Sequence, residues 1–177
     1  MMNICVFGAS SNDIDKEYIA AGEQLGREMA AGGHELIFGG GQTGLMGAVA
    51  RGMKSGGGKI TGVAPTFFDL PGILYQQCDE LIYTETMRER KDLMDQMAEA
   101  FIMTPGGIGT MEEFFEIYTL KQLGRHNKPI GILNVNGYYD ELIQLLVHTA
   151  EKGFMDMECI DLFCVAETPG ELLAMMF

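Results

Sequence analysis

The segment TPGGIGTMEE (104–113) packs three glycines and a proline into six positions and then sets Glu112 and Glu113 side by side. Backbone that loose ahead of a helix suits a tight turn, or a ligand lying against bare amides. A carboxylate behind such a loop could stabilise developing positive charge or activate water. Thr110 and Glu113 also spell T-x-x-E, the capping box that opens many helices. The two readings are compatible but separable, because a cap accepts Gln nearly as well as Glu and a catalytic carboxylate does not.

A second charged residue stands out in TMRERKDLMDQMAEAF (86–101). At about 100° per residue, Met87, Met94, Met97 and Phe101 form one narrow stripe, the face expected to be buried, with Arg90 in its middle. Arg88, Asp92, Asp95 and Glu99 fall on the polar side. A buried guanidinium is costly unless paired. Arg90 either snorkels out past the methionines or meets a carboxylate or phosphate, and Glu113 is the obvious candidate. Lys91 borders the stripe and could add local positive charge.

Two further strand exits are chemically odd, GASS (8–11) and GGGQTGLMG (39–47). Gly39, Gly41 and Gly44 satisfy G-x-G-x-x-G, yet the match follows the second strand and no acid stands about twenty residues on, where Ala64 sits. PGGIGT (105–110) has no lysine after its last glycine, so it is not a Walker loop. Both loops run glycine backbone into a helix N-terminus, whose free N–H groups and dipole favour anions. Two such loops on one edge, with Ser10 and Ser11 nearby, point to a phosphorylated ligand.

The elements that must position these residues alternate from end to end. Strands are expected at 3–8, 35–40, 59–64, 80–84, 100–104, 129–134 and 162–166, and helices near 14–31, 44–55, 86–98, 110–123, 138–152 and 169–176. Continuous apolar strands imply a sheet covered on both faces. The chain therefore reads as one α/β domain over 1–177, a Rossmann-like, doubly wound, mostly parallel sheet of about seven strands. In such a sheet ligands bind beyond the carboxyl ends of the strands, where all three odd loops would open. Helix 110–123 carries Phe114, Phe115, Ile117, Tyr118, Leu120 and Leu123 almost all round, so another subunit is a reasonable cover and a homodimer is expected.

Composition narrows the function classes. Glycine supplies 24 of 177 residues against a usual share of about 7%, clustered in loops. A formal charge of −13 argues against nucleic-acid and anionic-membrane partners. The four cysteines and three histidines show no metal spacing, so no metal is expected. There is no secretory leader and no apolar run of about 18 residues, so a cytoplasmic protein is expected.

MRERK (87–91) followed by PGGIGTMEE (105–113) resembles the signature of the Lonely Guy family, the cytokinin riboside 5′-monophosphate phosphoribohydrolases, long described as possible lysine decarboxylases. VFGASS, GGGQTGLMG and LGRHNKPIGILNVNGYYD (123–140) extend the resemblance over nearly the whole chain. It implies a Rossmann-like dimer that splits the N-glycosidic bond of an adenine-type nucleoside monophosphate without a cofactor. It implies Arg90 and Glu113 as the catalytic pair, with Arg90 holding Glu113 ionised and oriented. The substrate would lie against Gly106, Gly107, Ile108, Gly109 and Thr110, with Ser10, Gly41, Met87, Arg88 and Lys91 around it. The position after Met87, commonly His in the family, is Arg88 here, a departure that bears on substrate preference. The alternative on the same fold is a non-catalytic nucleotide or molybdenum-cofactor carrier. A true decarboxylase would need a pyridoxal-bearing lysine, and Lys54, Lys59, Lys121 and Lys128 offer no context for one.

Overall fold

A computed structural model describes all 177 residues. Seven strands, β1 (Asn3–Phe7), β2 (Glu35–Phe38), β3 (Ile60–Pro65), β4 (Glu80–Thr84), β5 (Ala100–Met103), β6 (Ile130–Leu133) and β7 (Cys164–Ala166), form one parallel sheet in the order β4-β3-β2-β1-β5-β6-β7. Every strand pairing is parallel. Five helices connect strands, α1 (Lys16–Ala31), α2 (Gly44–Ser55), α3 (Met87–Met97), α4 (Ile108–Gln122) and α5 (Asp140–Glu151), and α6 (Pro169–Met176) follows β7. β3 and β4 are joined by a loop that contains one short 3-10 turn, Thr66–Phe68.

The direction of winding reverses between β1 and β5, which lie side by side although 92 residues separate Phe7 from Ala100. At that switch point the loops leaving the two strands diverge and a crevice opens above their carboxyl ends. The sheet separates two apolar clusters. One face packs Leu25, Met29, Leu45, Val49 and Met53 of α1 and α2. The other packs Met94, Phe114, Ile117, Tyr118 and Leu146 of α3, α4 and α5. That double cover accounts for the unbroken apolar runs of β3, β5 and β6, each buried along its length.

The edge strands depart from this pattern. β4 looks as apolar in sequence as its neighbours, yet Tyr83 is 44% exposed there, because no strand follows it. Phe101, counted above on the stripe of the third helix, lies buried in β5; α3 ends at Met97, and of the stripe residues within the helix Arg90 and Met94 are buried. No helix is long and apolar enough to cross a membrane.

Candidate active site

α3 begins at a capping box that the sequence reading overlooked. The Thr86 Oγ1 accepts from the Glu89 amide at 3.1 Å, while Glu89 Oε2 accepts from the amides of Glu85 at 2.9 Å and Thr86 at 3.4 Å. Fixing that first turn aims Arg90 inward. Arg90 is 6% exposed; its Nε donates to the Val63 carbonyl at 3.2 Å and its Nη1 donates to Glu113 Oε1 at 3.0 Å. Gly39, at the exit of β2, makes room for it, since a Cβ there would overlap the Arg90 Nη2. The guanidinium does not snorkel.

Glu113 stands one turn inside α4, with its side chain 12% exposed. Behind it Phe7, Met94, Phe101 and Ile117 contribute to a void of about 40 Å³. This apolar backing pushes the carboxyl above its ordinary range; Arg90 pulls the other way and does not fully offset it. Arg90 lowers the carboxyl as expected and orients it, while the larger influence of burial sets the net direction.

The T-x-x-E at Thr110–Glu113 is not a capping box. α4 starts two residues earlier than expected, at Ile108, with Gly107 as N-cap and no side-chain cap. Thr110 sits inside the first turn, buried against Gly106, where a Cβ would collide with its Oγ1. A Cβ on Gly107 or Gly109 would meet nothing within 4 Å. The N–H groups of Gly107, Ile108, Gly109 and Thr110 have no acceptor within the chain. Four free amides at the positive end of a helix make an anion site.

The second anion loop does not materialise. The Ala9 carbonyl accepts from Leu45 N at 2.9 Å and Met46 N at 3.1 Å, and Asn12 Oδ1 accepts from Gly44 N at 2.8 Å, so the first turn of α2 is already satisfied. Gly44 has φ +62° and lies against Ala9 and Ser11, which no side chain would permit. The glycines of this loop serve packing, which leaves the free amides of the loop at 106–110 as the anion site.

The crevice is a cleft of about 290 Å³ lined by Gly8, Ala9 and Ser10 after β1, Met46 on α2, Phe68 in the turn after β3, Met87 and Arg90 on α3, and Gly107, Gly109, Thr110, Glu112 and Glu113. Arg90 is the one cation among them, and it is already matched to Glu113. Through Ser10, Met46, Phe68 and Arg90 the cleft continues into a wider apolar recess of about 490 Å³ walled by Phe67, Leu70, Ile73 and Leu74.

A family described as "Possible lysine decarboxylase" matches residues 46–176. A rice (Oryza sativa subsp. japonica) protein named "Probable cytokinin riboside 5′-monophosphate phosphoribohydrolase" is 42% identical over 173 residues, spanning 98% of this chain and 78% of its own length. The chain belongs to the Lonely Guy family. An Arabidopsis thaliana relative, named cytokinin riboside 5′-monophosphate phosphoribohydrolase, is 36% identical and spans 98% of this chain and 81% of itself. Among solved structures, the molybdenum cofactor binding protein of Rippkaea orientalis is 20% identical with a TM-score of 0.74, over 98% of this chain and 94% of that one. The molybdenum cofactor carrier protein of Chlamydomonas reinhardtii is 22% identical with a TM-score of 0.72, over 98% and 95%. At such identities these two likenesses concern the fold.

The residues expected from the Lonely Guy signature divide in this structure. Ser10, Met87, Arg90, Gly107, Gly109, Thr110 and Glu113 meet in the cleft. Gly41 lies in the apolar recess, and Gly106 faces the opposite side of its loop beside Tyr138. Ile108 is 83% exposed and Arg88 is exposed; neither lines the cleft. Lys91 turns to Glu112 and to Glu116 at 2.8 Å, contacts that raise its pKa, and points its ammonium at α4. The lining also includes Gly8, Ala9, Met46, Phe68 and Glu112. Of these Gly8 carried a signal, the glycine at a strand exit, where a Cβ would overlap Thr104 Oγ1.

Proposed function

We propose that this protein is a phosphoribohydrolase that cleaves the N-glycosidic bond of adenine-type nucleoside 5′-monophosphates, cytokinin riboside 5′-monophosphate or AMP, to free base and ribose 5-phosphate. The observation that carries the reading is the buried Arg90–Glu113 pair, 3.0 Å apart, in the same cleft as the four free amides of the glycine loop. The names of the plant relatives support the same reaction class.

The chemistry follows from these parts. The 5′-phosphate lies on the amides of Gly107–Thr110, and that remote grip fixes the ribose. As the C1′–N9 bond lengthens, its electron pair leaves with the base and positive charge builds on C1′ and the ring oxygen, as in sugar hydrolysis. Ionised Glu113 stabilises that charge and takes a proton from the water whose oxygen adds to C1′. The proton then passes to the departing base or to solvent. Arg90 keeps the carboxylate aimed while itself held by Val63 and seated over Gly39. The apolar recess receives the base and whatever substituent it carries.

Two coarser inferences accompany this. Ile108, Phe115 and Leu123 leave an apolar strip exposed along and beyond α4, which favours a homodimer. Four unpaired cysteines and a nucleotide substrate favour a cytoplasmic setting.

The deciding assay incubates the protein with AMP and with isopentenyladenosine monophosphate and separates nucleotide from base by chromatography. Release of adenine or isopentenyladenine is expected. No base from these or from other nucleoside monophosphates overturns the proposal.

A further inference from the structure

We propose that Tyr138 and Tyr139 are positioning residues that hold the glycine loop in the shape that receives the phosphate. This rests on the phosphoribohydrolase reading and adds to it a pair of side chains outside the cleft. They belong to NVNGYYD (134–140), between β6 and α5. Buried Asn134 braces the turn: its Oδ1 accepts from Tyr139 N at 2.7 Å and its Nδ2 donates to Asp140 Oδ1 at 2.8 Å. Asn136 and Gly137 at φ +53° and +69° reverse the chain. Both tyrosines are thereby thrown back over the exit of β5.

There they take hold of two of three consecutive carbonyls. Tyr139 Oη donates to the Thr104 carbonyl at 2.8 Å, the Ala9 amide donates to the Pro105 carbonyl at 3.1 Å, and Tyr138 Oη donates to the Gly106 carbonyl at 2.9 Å. Thr104 Oγ1 in turn donates to the Phe7 carbonyl at 2.8 Å, tying the loops after β1 and β5 together. A trans peptide sets each carbonyl opposite the next N–H. Drawing the Gly106 carbonyl toward Tyr138 therefore turns the Gly107 N–H away from Tyr138, at a residue that borders both the cleft and the recess beside Tyr138. A run of glycines has no conformational preference of its own; the two hydroxyls supply one. Tyr139 is 1% exposed and burial pushes its phenol up, so it remains a donor. Tyr138 is half-exposed and packs edge-on against Tyr18 and Tyr139, so its ring holds its place without the hydroxyl.

The test uses Tyr138→Phe, Tyr139→Phe and the double variant, which remove oxygens and leave rings. Calorimetric Kd values for ribose 5-phosphate and for adenosine are compared with KM and kcat for AMP. Each single variant is expected to weaken ribose 5-phosphate by about fivefold, as for one lost hydrogen bond, and to raise KM, with adenosine affinity and kcat little changed. Unchanged ribose 5-phosphate affinity in the double variant overturns the proposal, as does an equal loss for adenosine, which would mark general loosening. A wild type that binds ribose 5-phosphate but releases no base removes the hydrolase reading alone, and the affinity comparison still decides this one. A wild type that binds no ribose 5-phosphate removes both.

Discussion

Gly39 lies directly beneath the Arg90 guanidinium, so close that a single methyl group on it would occupy the space of Nη2. The guanidinium cannot retreat without releasing the Val63 carbonyl at 3.2 Å or Glu113 at 3.0 Å. Gly39→Ala is therefore expected to fold with a loss of about 1–3 kcal/mol from overpacking and to lose about 10²-fold in kcat/KM, the scale of a 1 Å misplacement. Steady-state kinetics with AMP beside a urea melt checks both. Full activity in the variant would mean that the Arg90 geometry is not what catalysis uses.

Glu113→Gln separates chemistry from packing. The swap removes the desolvation penalty of a buried carboxylate and leaves Arg90 without a counter-charge, although the amide oxygen can still accept from Nη1. These effects oppose, so stability near pH 7 is expected to stay close to wild type while kcat falls about 10²–10⁴-fold, the usual share of a positioned acid–base group. Wild-type turnover in a folded Gln variant would leave Glu113 a structural partner of Arg90.

The raised Glu113 carboxyl also predicts a pH dependence of known sign. Its ordinary value is 4.5 and its folded value lies higher, so between the two the native state binds more proton than the unfolded chain. The resulting stability is present below pH 4.5 and lost as pH rises through the folded value. Melting temperatures of wild type minus Glu113→Gln should fall across that window. In ¹³C NMR the Glu113 carboxyl should titrate above 4.5, and higher still in Arg90→Ala, where nothing offsets burial. A wild-type midpoint at or below 4.5 contradicts this.

The strands were readable because both faces of the sheet are covered and their apolar runs are unbroken; β4 shows the limit, since an edge strand with the same composition is half bare. Arg90 was readable as a charge inside an apolar stripe. The start of α4 was not, because its N-cap is a glycine with no side chain to announce it, and a false T-x-x-E at 110–113 drew attention from the true one at Thr86–Glu89. The glycines at 39–44 imitate a phosphate loop, yet what they accommodate, Arg90 beside Gly39 and the Ala9 carbonyl beside Gly44, lies 51 and 35 residues away. Met46 and Phe68 reach the cleft through packing alone, which no local pattern encodes.

The exposed strip on α4 yields the last prediction. Phe114, Ile117 and Tyr118 face the core, whereas Ile108, Phe115 and Leu123 are 83%, 36% and 65% exposed. The sequence called for cover all round this helix, and one chain covers only part of it. A two-fold pairing through the strip would bury it close to the cleft, since Ile108 belongs to the glycine loop itself. Phe115→Glu should place a charge at the centre of such an interface at the cost of one edge-on contact with Phe114. Sedimentation velocity is expected to show a dimer for the wild type and a monomer for the variant, with unchanged circular dichroism. Because Glu113 sits two residues away on the same helix, the monomer should also lose activity. A wild type that sediments as a monomer at micromolar concentration would show that α4 carries its apolar strip unpaired.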